Sequence, residues 1–436
     1  MNSVDARTVP ADPESVRRLR EQGFDYRVVD IADYASAVAF AQAAERGFLG
    51  GAPSDAEIER MRETWEGRRN VGVYETDAVA SALPVGTVNS WVASMSLPGG
   101  DAGSAIPMWA ISMVTVAATH RRRGIARGLL EGELRAAASA GVPMAGLTVT
   151  EATIYGRYGF GPAVPVSRIA VDARTSGWRA PQAPGRLEYV GLDQLARELG
   201  ELHERARFAR AGQIAGWRGR WLGQAGLGAG SKKDANARGV HYRDVDGVVR
   251  GAIAYTLKEL PGSFRNSMMV RQLVAETDEA LSALWGFAVN HDLVDRIEAD
   301  LRPVDDPVVR LVANPHAVDV AVRDHGWLRI LDAPAALRAR RYAASLDTVI
   351  RVEDGYGFAD GTWRLRVDGA GAAELEATDA APDLALDVAT LSSVYAGGVP
   401  LTQLAASGRV QGDVASVAAL GRALHADPAP TLSIWY

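Results

Sequence analysis

The sequence predicts a mixed α/β chain of tandem domains with a further α+β domain at its C-terminal end. Three observations carry this expectation. The chain has 436 residues, beyond the size at which a single hydrophobic core keeps growing, so two or three domains are expected. Strand-like and helix-like runs alternate up to residue 331, and the order of elements recurs at an offset of about 160 residues. From Asp332 the composition shifts to glycine-punctuated strand pairs followed by short helices. The expected domains are residues 1–165, 166–331 and 332–436.

Residues 1–25 read as a polar leader with a short helix. Tyr26 to Ile31 (YRVVDI) reads as a strand, followed by a helical pattern through AVAFAQAAERGF. Val71 to Glu75 and Val85 to Leu97 read as neighbouring antiparallel strands, the second rich in β-branched residues. Ala110 to Val116 is an apolar strand, after which Ile125, Leu129, Leu130 and Leu134 fall at helical spacing. Met144 to Val149 is the next strand, and IYGRYGFGP then breaks into a helix-loop element punctuated by glycine.

The second unit repeats this order. LEYVGLDQLARELGELHERARFAR reads as strand then helix, and GVHYRDVDGVVRGAIAYTL as two strands about a turn at Asp246-Gly247. SMMVRQLVAETDEALSALWGFAVNHD reads as strand then helix. Residues 216–239 are expected to form a loop with a mobile tip. In the third region, Arg351 to Gly369 reads as strand pairs, and two short helices precede a terminal TLSIWY.

Composition removes several function classes. Formal net charge is −6, from 47 basic and 53 acidic side chains, which argues against nucleic acid because phosphate binding needs a basic field. There is no cysteine, so disulfides, thiolate metal sites and a cysteine nucleophile are excluded. The seven histidines form no HxxxH or HExxH spacing, and no metal is expected. The N-terminus lacks the apolar run of a signal peptide, and no apolar stretch approaches membrane-spanning length, so the expected location is the cytoplasm.

The feature with most chemistry is Val116-Ala-Ala-Thr-His-Arg121-Arg122-Arg123-Gly124-Ile125-Ala126 at a strand-to-helix junction. A helix N-terminus offers unpaired N–H groups and a partial positive end, which together suit a diphosphate. Gly124 permits close backbone approach, and Arg121, Arg122 and Arg123 add charge-assisted hydrogen bonds. The plainer alternative is a basic helix start on a solvated surface. Three arginines there oppose the helix dipole, so residue choice and local rule conflict unless an anion is the partner. No GxxxxGK[ST] is present, and no GxGxxG follows a strand here.

This R-x-x-G-x-A pattern after a strand resembles the acetyl-CoA site of the GNAT acetyltransferase superfamily. THRRRG, followed about 30 residues later by EATIYGRYGFGP, is similar to the Eis family of actinobacterial N-acetyltransferases. That family's organisation, a duplicated GNAT unit with a degenerate second copy and then a sterol-carrier-protein-like domain, also resembles the layout read above. The resemblance implies that acetyl-CoA is the co-substrate. It places the pantetheine arm on the backbone of Val114, Thr115 and Val116. The diphosphate falls on the turn Arg122 to Arg127, covering Arg122, Arg123, Gly124, Ile125, Ala126 and Arg127, with Arg121 at the first motif position. Thr150 and Glu151 match positions that line the co-substrate.

Direct transfer to an amine needs a proton donor for the leaving thiolate. A tyrosine keeps its proton at neutral pH, with a reference pKa of about 10 against about 8.5 for a thiol. Tyr155 matches the family's donor; as a residue alone it reads equally as a buried ring like Tyr158. The resemblance implies that the C-terminal carboxylate, here Tyr436, accepts the proton, with His120 and Glu151 as ordinary alternatives. His120 sits inside the diphosphate motif and reads as a turn residue. The backbone N–H of Val114 is the expected oxyanion donor.

The resemblance further implies a polycationic amine acceptor, aminoglycosides foremost, acetylated at more than one amine and held between the region Phe48 to Trp65 and the C-terminal tail. Trp435 departs from the acidic residue the resemblance leads one to expect at the penultimate position. Polyamine or lysine acetylation is the alternative within the same chemistry, and a lipid or small-ligand carrier is the alternative outside it. Neither a nucleic acid nor a membrane partner is expected, and the resemblance implies a homohexamer.

Overall fold

The computed structural model describes residues 4–77, 79, 82–99, 103–228, 234 and 236–436. They divide into two compact units: residues 1–164, 325–427 and 435–436 in one, and residues 165–324 and 428–434 in the other. The tip of the expected loop at 229–233 and 235 lies outside the described residues.

The first unit begins with α1 (Pro13–Arg20), β1 (Phe24–Val28), α2 (Tyr34–Gly47), α3 (Asp55–Trp65), β2 (Arg69–Glu75), β3 (Gly86–Ser96), β4 (Ala105–Val116), α4 (Ile125–Ser139), β5 (Met144–Thr148) and α5 (Ala152–Tyr155). Local sequence explains the starts of three helices. Asp12 and Asp33 cap α1 and α2 by accepting from Ser15 N and Ser36 N, and Ser54 and Glu57 form a capping box on α3. β1 to β4 are antiparallel neighbours in order, and β5 joins β4 in parallel.

Along α4, Ile125, Leu129, Leu130 and Leu134 enter one core with Val71, Val88, Trp109 and Ile111. A polar network anchors the same helix. Glu133 is fully buried; it accepts from Arg69 Nε at 3.1 Å, from Trp109 Nε1 at 2.9 Å and from Ser90 Oγ. One carboxylate on α4 therefore ties to β2, β3 and β4. Arg69 also donates to the Pro10 carbonyl at 3.0 Å, which brings in the segment before α1. A buried pair satisfied in this way specifies one placement of the helix on the sheet.

The second unit is built from β6 (Gly161–Asp172) after its first four residues, α6 (Ala173–Ser176), β7 (Arg186–Val190), α7 (Leu192–Ala206), α8 (Arg218–Gln224), β8 (Ala237–Arg243), β9 (Val249–Glu259), β10 (Asn266–Ala275), α9 (Asp278–Val289), β11 (Val294–Arg302), α10 (Val308–Leu311) and the start of β12 (Val318–Ile330), whose residues from His325 on belong to the first unit. The order repeats that of the first: β7, β8, β9 and β10 are antiparallel neighbours and β11 joins β10 in parallel. The final strands are exchanged between the copies. β6 follows the first copy in sequence yet pairs with β11, while the end of β12 follows the second copy and pairs with β5. Neither β11 nor β12 was expected from the sequence. Nor was α8, which lies within the expected loop and is anchored by the buried Trp221.

The C-terminal region contains α11 (Ala333–Ala339), β13 (Leu346–Glu353), β14 (Gly361–Val367), β15 (Ala373–Ala377), β16 (Leu384–Asp387), α12 (Val388–Tyr395), α13 (Leu401–Ala406), β17 (Val410–Gly412) and α14 (Val414–Leu424). Its sheet runs β15-β14-β13-β16-β17. Arg340, 1% exposed, donates to the Leu424 carbonyl at 2.6 Å and to the carbonyl of Tyr395. A buried guanidinium thus sits on the carbonyl ends of α12 and α14, where the helix dipoles favour a cation.

The anchoring of α4 has a direct test. Glu133→Gln leaves the Arg69 charge buried without its counter-charge, which costs about 3–5 kcal/mol. The expected outcome is a matching loss of unfolding free energy in denaturant; a loss below about 1 kcal/mol, the range of a surface pair, contradicts the assignment.

Candidate active site

The site is built on a defect in β4. Thr87 pairs with Thr115 and Asn89 with Ser112, so Val88 alone faces both Met113 and Val114. Met113 sits at φ 56°, in the left-handed region that non-glycine residues seldom occupy. This is a β-bulge, which breaks the ladder and re-aims the strand. Thr87 Oγ1 supports it by donating to the Met113 carbonyl at 2.9 Å and pairing with Thr115 Oγ1 at 2.6 Å. On its other side β4 pairs with β5, among the described residues, only at Trp109–Ala145 and Ala110–Gly146. Beyond Ala110 the two strands part, which frees the edge of β4 that carries Val114, Thr115 and Val116.

The chain then enters α4 through a turn that presents backbone amides. Arg122 and Gly124 both hold positive φ, 62° and 76°. Gly124 is the N-cap without a side-chain cap, and α4 has no acidic residue in its first turn. The first intrahelical bond is Gly128 N to Gly124 O at 2.9 Å, which leaves the amides of Ile125, Ala126 and Arg127 at the open end. A Cβ at Gly124 meets nothing closer than 3.9 Å, so its backbone angle, not crowding, calls for glycine there. Gly86 has the opposite reason: a Cβ there falls 2.5 Å from the Ile125 side chain.

The arginines divide. Arg121 and Arg122 are exposed and make no ion pair among the described residues. Arg123 is already engaged, with Glu75 Oε1 at 3.0 Å and its guanidinium 4.4 Å from the Phe24 ring centre. Of the three expected to face an anion, Arg123 thus keeps a carboxylate within the fold as a neighbour, and Arg121 and Arg122 do not. Arg127 bonds to Glu131 at 2.6 Å through Nε. His120 bonds to Glu75 through Nε2 at 3.0 Å and to Thr119 through Nδ1 at 2.8 Å, which ties it into the turn. Thr150 and Glu151 are exposed at the start of α5, where Glu151 accepts from Thr153 Oγ1 at 2.8 Å.

Tyr155 closes α5. Its ring is buried and meets Phe160 edge-on at 6.2 Å. Burial, with lesser contributions from Tyr158 and Glu151, raises its pKa above the ordinary tyrosine value, so the phenol holds its proton through the neutral range. No hydrogen bond to its hydroxyl is found among the described residues.

The last residue docks on the same strand pair. Thr148 Oγ1, at the end of β5, donates to the Tyr436 terminal oxygen at 2.5 Å and lies 3.3 Å from Tyr436 N. The Tyr436 ring meets Trp91 of β3 edge-on at 5.4 Å, and burial raises its phenol pKa. Arg68 lies over the other part of this cluster, 3.7 Å from the Trp91 ring centre; burial pushes its pKa down to about 9. Trp435 meets the buried ring of His325 at 4.5 Å.

The expected acceptor wall, Phe48 to Trp65, lies against the bulge. A Cβ on Gly47 at the end of α2 falls 2.3 Å from Thr115 Cβ, and Met113 packs on the cluster containing Phe40, Ile58 and Trp65. Phe48 and Leu49 project into solvent, and Glu45 has its pKa raised by burial and by Glu57. Sequence reasoning places Met113, Thr148 and Trp91 only within expected strands, and misses Arg68. None belongs to a recognisable motif, and Thr148 is 288 residues from its partner.

The second copy keeps the backbone of this site without its chemistry. β10 carries a register shift between Val270 and Gln272. Thr277 caps α9 by accepting from Ala280 N, and Asp278 and Glu279 fill its first turn. That helix end is satisfied from within and repels an anion.

Comparison with known proteins gives the family. Models of the GNAT acetyltransferase domain match residues 17–163 and 214–330, and a sterol carrier protein domain matches residues 333–433. An uncharacterized N-acetyltransferase of Streptomyces avermitilis is 33% identical over 374 residues, 84% of this chain and 88% of that protein. N-acetyltransferase Eis of Mycobacterium tuberculosis is 32% identical over 318 residues, 70% of this chain and 75% of its own. The crystal structure of Eis1 from Mycobacterium abscessus matches with a TM-score of 0.78 at 28% identity, over 94% of this chain and 100% of that one. Fold and site thus define an N-acetyltransferase of the GNAT superfamily. Within it, the chain belongs to the Eis family, with two GNAT domains followed by a sterol-carrier-like domain.

The docking of Tyr436 has its own test. Thr148→Val removes a hydrogen bond to a charged group, worth about 1.5 kcal/mol or more. Release of Tyr436 by a carboxypeptidase is expected to quicken by roughly tenfold; unchanged release shows that Thr148 does not hold the residue.

Proposed function

We propose that this chain transfers an acetyl group from acetyl-CoA directly to primary amines of a polycationic small molecule, aminoglycosides foremost, at more than one position. The observation that carries the co-substrate is the open N-terminus of α4, with a glycine cap, no acidic first turn, and Arg121 and Arg122 beside it. The residues fit an acyl-CoA: free amides for a diphosphate, and the parted edge of β4 for an extended arm. Thr150 and Glu151 border it from the start of α5. Acetyl-CoA supplies the acyl thioester.

The remaining work falls to the chain. The Val114 N–H, at the bulge, serves as the oxyanion donor. As the N–C bond forms and the C–S bond breaks, Tyr155 Oη gives its proton to the sulfur. The Tyr436 carboxylate, oriented by Thr148, takes the amine's proton, directly or through water. His120 is committed to Glu75 and Thr119, and Glu151 to Thr153, so neither competes well for that role.

For the acceptor, Glu45 and the capping-box Glu57 give the α2–α3 side a negative field suited to an amine. Trp435 supports a second reading, polyamine or lysine-peptide acetylation, because it brings an indole where the family resemblance leads one to expect a carboxylate. The open α4 terminus weighs against a pure carrier. The family resemblance supports a homohexamer, and the exposed Leu187 and Tyr189 on edge strand β7 favour self-association. Among the described residues no helix is long and apolar enough to cross a membrane, and no cluster of acidic or histidine side chains forms a metal site. A cytoplasmic location is part of the same reading.

Thiol release measures the reaction without background, since the protein has no cysteine. Free CoA is expected with aminoglycosides, and Tyr155→Phe is expected to lower kcat by about 100-fold or more. The raised pKa of Tyr155 keeps its proton on, so that residue causes no loss of activity below about pH 10. Release with lysine peptides or polyamines alone selects the second reading. Release with no amine at all overturns the proposal.

A further inference from the structure

The C-terminal domain contributes a loop to the first unit's α4. This loop, residues 354–360 between β13 and β14, is closed on itself. Asp354 accepts from Tyr356 N at 3.0 Å and from Ala359 N at 2.9 Å, and its own amide donates to Asp360 Oδ1 at 3.1 Å. Gly357 makes the return at φ 76°. The loop is moored by Arg329 of β12, which pairs with Asp354 at 2.7 Å with both side chains buried and lies 5.6 Å from the Phe358 ring centre.

What this rigid loop presents is Tyr356. Its ring is stacked between Tyr158, at 6.5 Å, and Phe358, at 6.3 Å. Its hydroxyl donates to Glu131 Oε1 at 3.1 Å. The same oxygen receives Arg127 Nε at 2.6 Å, while Glu131 Oε2 receives Arg18 at 2.9 Å and faces Arg135 at 3.7 Å. Burial alone favours the neutral acid, but Arg127 and Tyr356 outweigh it and hold Glu131 below the usual carboxyl range. Burial and the Glu131 charge push Tyr356 up to about 12, so it stays a donor.

Arg127 stands at the third position of α4, among the open amides of the candidate diphosphate site. Its side chain is 57% exposed, and its terminal nitrogens have no partner among the described residues. Those nitrogens are aimed only as well as Glu131 is held. Two guanidiniums draw on Glu131 Oε2, and among the described residues Tyr356 is the one neutral donor that fixes Oε1 on the side of Arg127.

We propose that Tyr356 is a positioning residue for the diphosphate of the acyl-CoA: through Glu131 it fixes the guanidinium of Arg127 at the mouth of α4. The proposal rests on the acetyl-CoA reading given above. It gives the sterol-carrier-like domain a part in co-substrate binding.

The test compares Tyr356→Phe with the parent enzyme on acetyl-CoA and on acetyl-pantetheine, which has the thioester arm without the diphosphate. KM for acetyl-CoA is expected to rise roughly three- to tenfold, the cost of re-ordering one long side chain, with kcat kept. The kcat/KM for acetyl-pantetheine is expected to stay the same. In a double-mutant cycle, adding Tyr356→Phe to Arg127→Ala is expected to change KM no further. An unchanged KM for acetyl-CoA overturns the proposal. So does an equal loss on both thioesters, which marks a merely structural role. A parent enzyme that turns over neither thioester removes the acetyl-CoA reading itself, a result distinct from an active parent with an indifferent variant.

Discussion

The carboxylate of Glu133 is the contact on which the rest of the first unit depends. It lies inside the core, on the face of α4 that meets the sheet, and binds Arg69, Ser90 and Trp109 from three successive strands. Apolar packing by Ile125, Leu129, Leu130 and Leu134 supplies most of the burial, but such packing tolerates sliding and rotation. A buried charge with fixed donors does not. With α4 set in this way, its N-terminus falls at the end of β4, where the bulge at Met113 and the parting from β5 have already freed backbone.

The duplicated copy separates geometry from chemistry. Both copies carry the strand order, a parallel pair at the same place and a register shift in the strand before the helix. They differ at the helix entrance. Gly124 leaves α4 without a side-chain cap, whereas Thr277 caps α9 and Asp278 and Glu279 set two negative charges in its first turn. Each first-turn contribution is only about 0.3–1 kcal/mol. Several donors converging on one ligand make a site, and a cap with two acids at the same place removes it.

Much of this was legible in the sequence, for identifiable reasons. α4 is long and periodic, and its basic start violates the local dipole preference, so both the helix and a candidate anion site are legible there. What escaped is non-local or counter to propensity. Met113 has no residue-type tendency toward positive φ, and Glu133 reads as one more surface acid on a helix. Thr148 and Tyr356 act through partners 288 and 225 residues away. β11 and β12 were missed because charged side chains interrupt their apolar alternation, as in VDRIEADLR. The stretch 216–239 reads as a loop, yet it holds α8. Gly216, however, is small because a Cβ there meets the Trp221 ring at 2.1 Å, so that glycine serves helix packing.

On the proposed function, one copy binds the co-substrate and the other cannot. Calorimetric titration of CoA into the full chain tests it most directly, with Arg121→Glu/Arg122→Glu and Thr277→Ala variants alongside. The account predicts one site per chain, lost on charge reversal at Arg121 and Arg122 and indifferent to the change at Thr277. Two sites per chain, or a single site that survives the charge reversal, would contradict it.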